Sequence, residues 1–109
     1  MKQITTLDEQ LDMFIDRIAE VNGFTTDDLK NSSRKPELVI VRQMCCYLSK
    51  KQFYSQKVTL QQIGNRINRH YATVLYSSRE VEKMLEIKDK RMTALFNEVM
   101  EAFNLGKAA

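Results

Sequence analysis

The sequence predicts an all-α fold on three observations. Only three Gly and one Pro occur in 109 residues, few for an all-β fold with its many tight turns. Apolar residues recur at helical rather than alternating spacing. Two Thr-x-x-Glu/Gln capping boxes, "TLDE" and "TLQQ", each open such a stretch. The length suits one domain, 1–109, with a modest core. A chain with 43% hydrophobic and 28% charged residues has the balance of a globular protein rather than a disordered one.

The elements follow in order. The first helix is expected from Thr6, whose hydroxyl and the Glu9 carboxylate satisfy free amides at the helix start. Leu7, Leu11, Phe14, Ile15, Ile18 and Val21 form its apolar stripe, and Gly23 suits a left-handed stop. Thr26 is expected to cap a short helical turn, "TTDDLK", with Asp27 and Asp28 at its positive end. Asn31, Ser32 and Ser33 make a polar loop, and Pro36 fits the first position of a long helix. That helix, to about Lys51, is apolar on more than one face (Val39, Ile40, Val41, Met44, Cys45, Leu48) and should be central. After the loop "FYSQKV", Thr59 caps a short helix ending at Ile67, and Asn68 and Arg69 turn the chain. A helix from about His70 to Leu85 points Val74, Ser78, Val81 and Leu85 inward. "EIKD" interrupts it. A last helix, about 88–105, packs Met92, Leu95, Phe96, Val99 and Phe103 and stops before Gly106.

Charge is unevenly spread. The chain total is +3, yet Lys30 to Arg79 holds ten basic residues (Lys30, Arg34, Lys35, Arg42, Lys50, Lys51, Lys57, Arg66, Arg69, Arg79) against one acid, Glu37. That middle is +9, so the two flanks together carry −6. A basic middle between acidic ends is the footprint of a polyanion-binding face.

Several classes drop out. The single His70 gives a metal no second ligand, and the adjacent Cys45 and Cys46 bridge only with strain; both are expected as free thiols in a core, in a reducing cytoplasm. No nucleophile–base pairing is readable, so no enzyme and no cofactor are expected. No apolar run approaches the ~18 residues of a membrane span, and "MKQITTLDEQLDMF" lacks the apolar block of a secretory signal.

The segments Thr59–Ile67 and His70–Leu85, joined by a tight polar turn, form a helix-turn-helix pattern, with Gly64 where close packing needs a small residue. In such a motif the second helix enters the major groove by its N-terminal residues. "DLKNSSRKPELVIVRQMCCYLSKK", "TLQQIGNRI" and "RHYATVLYSSREVEKM" then carry a family resemblance. From about 15 to 95 the chain resembles the C-terminal DNA-binding domain of the bacterial replication initiator DnaA, with a basic loop, an Arg-Gln in the long helix and a Leu-x-x-Ile-Gly helix. The resemblance implies a Trp repressor-like helix-turn-helix fold and double-stranded DNA as partner.

It also implies roles. Arg34, beside Lys35 in the basic loop, matches an arginine inserted into the minor groove, where a narrow A·T tract deepens the negative potential. Lys50 matches a backbone-contacting lysine. Leu60 and Gln61, capped by Thr59, match a helix start that grips phosphate. Thr73 matches a phosphate contact, and Arg79 another basic position. Specificity falls to Arg34 and residues 69–73. The family reads bases through Asp-His-Thr where this chain has His70, Tyr71 and Ala72. Aspartate accepts from cytosine, whereas histidine favours guanine N7 or O6, and Ala72 keeps only a methyl contact with thymine. The turn before Arg69 is one residue shorter and lacks the family's paired glycines. Sequence-specific binding to a site other than the standard initiator box is therefore expected.

No GKT/GKS phosphate loop is present, so the expectation is a stand-alone domain without the ATPase motor, unable to melt an origin by itself. A replication regulator and a transcription regulator both fit, as do a monomer and a dimer. The alternative is a protein-interaction adaptor that kept the fold and lost base reading.

Overall fold

The computed structural model describes the backbone of residues 5–108 and the side chains through residue 104. Those residues form six α-helices and one turn of 3-10 helix, with no strand among them. The order is α1 (Leu7–Val21), α2 (Thr26–Lys30), α3 (Pro36–Gln52), the 3-10 turn (Tyr54–Gln56), α4 (Leu60–Ile67), α5 (Tyr71–Glu86) and α6 (Lys90–Ala108).

Local chemistry explains most boundaries. Thr6 Oγ1 accepts the Glu9 amide at 3.1 Å while Glu9 Oε1 accepts the Thr6 amide at 2.9 Å. Gly23 takes the left-handed conformation after α1, with φ +78°. Pro36 opens α3. The cap of α2 is Thr25 rather than the expected Thr26: Thr25 Oγ1 accepts the Asp28 amide at 3.2 Å. The Thr26 hydroxyl instead donates to Asp16 of α1. Asp28 decides between the two adjacent threonines: its carboxylate accepts the Thr25 amide at 2.8 Å and completes a capping box, whereas Thr26 has Leu29 at that spacing.

The core gathers on α3, where Leu38, Val41, Met44, Cys45, Cys46, Tyr47 and Leu48 are buried against α1, α2, α4 and α5, with Tyr47 edge-on to Phe96 of α6. Leu11, Ile15 and Ile18 of α1, Ile63 and Ile67 of α4, and Val74 and Val81 of α5 close around it. Both cysteines are free and buried. Burial pushes Cys45 well up, and pushes the Cys46 thiol up to about 12, so neither is a ready nucleophile at neutral pH.

The last helix begins where the "EIKD" break is expected and departs from expectation only at its far end. Lys88 supplies the left-handed break, with φ 59°, and Asp89 caps α6 by accepting the Met92 amide at 2.9 Å. At the other end α6 runs through Gly106 to Ala108. An interior glycine costs a helix only about 1 kcal/mol, which does not by itself end one. No helix among the described residues is long and apolar enough to cross a membrane.

Candidate nucleic-acid interface

The helix-turn-helix is closed by Gly64. A Cβ there would stand 2.2 Å from the Arg69 carbonyl oxygen and 3.3 Å from a Val74 methyl, so only glycine lets the turn and α5 sit against α4. The Arg69 amide donates to the Gly64 carbonyl at 2.9 Å. Asn68 adopts the left-handed conformation, φ 56° and ψ 50°. Asparagine tolerates that region, which is how the turn manages without paired glycines.

The start of α4 is a complete capping box. Thr59 Oγ1 accepts the Gln62 amide at 3.0 Å and Gln62 Oε1 accepts the Thr59 amide at 2.9 Å. The amides of Leu60 and Gln61 have no intrahelical partner and point out of the helix end. At the start of α5, His70 is the cap: its Nδ1 accepts the Ala72 amide at 3.1 Å. That bond places the ring proton of neutral His70 on Nε2. The ring lies against Tyr71, centroids 4.4 Å apart. Tyr71, Ala72 and Thr73 are exposed.

A groove of about 550 Å³ runs between the basic loop and α5. Ser32, Ser33 and Arg34 form one wall, Asn68, Arg69 and Thr73 the other, with Arg42 and Tyr76 also lining it. Arg34 thus shares one surface feature with Arg69 and Thr73, which lie more than thirty residues further along the chain. Lys35 is exposed at the start of α3, and Arg79 is exposed on α5. Lys50 lies elsewhere, in a recess of about 490 Å³ with Tyr54, Ser78 and Glu82.

The expected face therefore divides. Arg69, assigned above to specificity, has its guanidinium occupied: Nη1 donates to the carbonyls of Lys30, Ile67 and Asn68 at 3.3, 3.2 and 3.0 Å, and Nη2 to that of Asn31 at 2.7 Å. Arg42 is buried and makes five such contacts, described below. Burial, then the neighbouring Arg69 charge, holds Arg42 below the ordinary arginine value. Arg66 pairs with Asp12 at 3.4 Å. Carbonyls are neutral acceptors, so Arg42 and Arg69 keep their charge and still contribute to the local field.

Sequence reasoning missed Arg42 and Tyr76. Arg42 does leave a trace: it falls between Val41 and Met44 on a buried helix, where a charge requires partners. Tyr76, 65% exposed, leaves none beyond its position one turn after Ala72 and Thr73. Among the described residues no group of His, Cys, Asp or Glu could hold a metal ion.

The family model for the bacterial dnaA protein helix-turn-helix matches residues 11–81. The chain belongs to that family. It is 31% identical over 106 residues to the chromosomal replication initiator protein DnaA of Crocosphaera subtropica, which covers 96% of this chain and 22% of the relative. Identity to DnaA of Mycoplasma pneumoniae is 31% over 77 residues, 71% of this chain and 17% of the relative. Identity to DnaA 2 of Protochlamydia amoebophila is 25% over 87 residues, 80% of this chain and 19% of the relative. The chain thus spans about a fifth of the length of these DnaA relatives. No solved structure matches it.

Proposed function

We propose that this DnaA-family domain binds double-stranded DNA sequence-specifically, with the N-terminal end of α5 in the major groove and the Arg34 loop at the adjacent minor groove. The observation that carries the reading is one groove lined both by Ser32, Ser33 and Arg34 of the loop and by Asn68, Arg69 and Thr73 at the turn and the start of α5. A duplex alternates major and minor grooves across a phosphate backbone, and a trough edged by Arg34 and Arg69 between two reading elements fits that ridge.

Roles follow from the exposed chemistry. His70 presents Nε2–H as a donor for guanine N7 or O6, Tyr71 presents a hydroxyl, and Ala72 a methyl for thymine. Thr73, Lys35, Arg79 and the amides of Leu60 and Gln61 beside Thr59 contact phosphate and set register. Lys50 adds charge at the margin. Arg34 enters the minor groove. Binding in this form serves regulation of replication or transcription. About five phosphate contacts give a log–log salt slope near −4 to −5.

Selection from random duplexes tests this. The expected result is an enriched motif that disappears for the His70→Ala/Tyr71→Ala double variant, and loss of part of its A·T preference for Arg34→Ala. Absence of any enriched motif would overturn it. Tyr71 and Tyr76, 54% and 65% exposed, would then read as part of a protein-binding face, since tyrosine is enriched at interfaces.

A further inference from the structure

The Arg34 loop has no hydrophobic anchor of its own. Leu29 and Leu38 are buried, but no side chain between them is. Short-range bonds shape the loop: Asn31 Oδ1 accepts the Ser33 amide at 2.8 Å and Ser33 Oγ the Lys35 amide at 3.3 Å. These fold the segment on itself without tying it to the rest of the molecule.

Two guanidinium groups do the tying. Arg42 of α3 donates through Nε to the Leu29 carbonyl at 2.7 Å, through Nη1 to that of Ser33 at 2.7 Å, and through Nη2 to those of Asp28 and Asn31 at 3.4 and 3.1 Å. The same Nη2 reaches Asn31 Oδ1 at 3.2 Å. From the other side Arg69 donates to the Lys30 and Asn31 carbonyls, and Asn68 Nδ2 to that of Lys30 at 3.4 Å. The Asn31 carbonyl is held by both arginines. The loop is thereby fastened to α3 and to the turn that starts α5.

We propose that Arg42 and Arg69 are positioning residues that lock the Arg34 loop to the helix-turn-helix, so that the two grooves are read as one unit. The inference rests on the duplex-binding reading above and deepens it. Only a planar fork with several donors can span these carbonyls; a lysine ammonium keeps the charge and loses the span. Both arginines attract phosphate through their charge alone, and act on sequence reading only through the loop.

Arg42→Lys and Arg69→Lys separate charge from span. In either variant with an unchanged circular dichroism spectrum, the salt slope should hold, because the charge is kept. The ratio of selected to random duplex affinity should fall about tenfold, the scale of one lost groove contact. Arg34→Ala should then cost little more in the Arg69→Lys background than Arg69→Lys alone. Without DNA, the amides of residues 32–35 should exchange faster. A full ratio in both variants, or an Arg34→Ala cost equal in the two backgrounds, overturns the lock. Should Arg42→Lys fail to fold, Arg69→Lys, whose site is half-buried, decides it. If the wild type enriches no duplex, the duplex-binding reading fails, and loop exchange alone judges the lock: unchanged exchange overturns it.

Discussion

The helices of the helix-turn-helix begin in two different ways. At α4 both polar side chains of the capping box, Thr59 and Gln62, turn back onto the backbone, so the cap itself leaves the pair of amides at Leu60 and Gln61 outward, beside the exposed Gln61 side chain. Amides at a helix start favour any anion and carry no sequence information. At α5 the cap uses only one nitrogen of His70. The other ring nitrogen and the Tyr71 hydroxyl remain outward. A saturated cap suits phosphate and a half-used cap suits bases. On the proposed reading, capping chemistry divides the labour between the two ends.

That contrast depends on the ends keeping their relative placement, which Gly64 controls. The largest effect is therefore expected from Gly64→Ala. Its Cβ would meet the Arg69 carbonyl, a backbone atom that cannot swing aside, and overpacking of this kind costs about 3 kcal/mol. Denaturant unfolding should show the loss, and binding should fall for every duplex. An alanine variant as stable as the wild type would mean the turn has room that its geometry denies.

The next effect separates the ends. His70→Ala should lower affinity for a selected duplex by about 2 kcal/mol and leave random duplexes almost unchanged, since it removes a donor to a base edge. Thr59→Ala should do the reverse. It loses the reciprocal bonds with Gln62, lowering stability by about 1 kcal/mol, and should weaken all duplexes alike. Titrations of both variants against both duplexes check the pair. If His70→Ala weakened all sequences equally, the two starts would be chemically different and functionally the same.

The parts legible in the sequence are those fixed within a few residues. Thr6–Glu9 and Thr59–Gln62 are reciprocal over three positions, Gly23 and Pro36 act through their own backbone, and the stripe of α1 follows from spacing alone. Gly64 was legible as a need for a small residue, though the carbonyl it makes room for was not. Illegible parts depend on partners distant in sequence. Arg42 and Arg69 read as two positive charges in a basic run, and only the fold shows their donors spent on the carbonyls of residues 28–33. Thr25 caps α2 rather than Thr26 for a local reason, since Asp28 three residues on reciprocates its bond. The uneven charge marks a basic stretch of sequence, but composition cannot tell an arginine that faces solvent from one that holds a loop.

The smallest expected effect concerns Lys50, which shares neither helix start. It borders its own recess with Ser78 and Glu82, on the later half of α5. On the duplex-binding reading, a flexible ammonium there adds one charge near the phosphate backbone. Lys50→Ala should flatten the salt slope by about one and weaken all duplexes alike. It should leave the selected motif untouched, because no base-reading group lies beside it. Glu82 in the same recess sharpens the test: Glu82→Gln removes an opposing charge, so it should strengthen binding at low salt and fade as salt screens the site. Should Lys50→Ala instead change the motif, base reading would extend past the start of α5, and the division between a phosphate end and a reading end would no longer describe this surface.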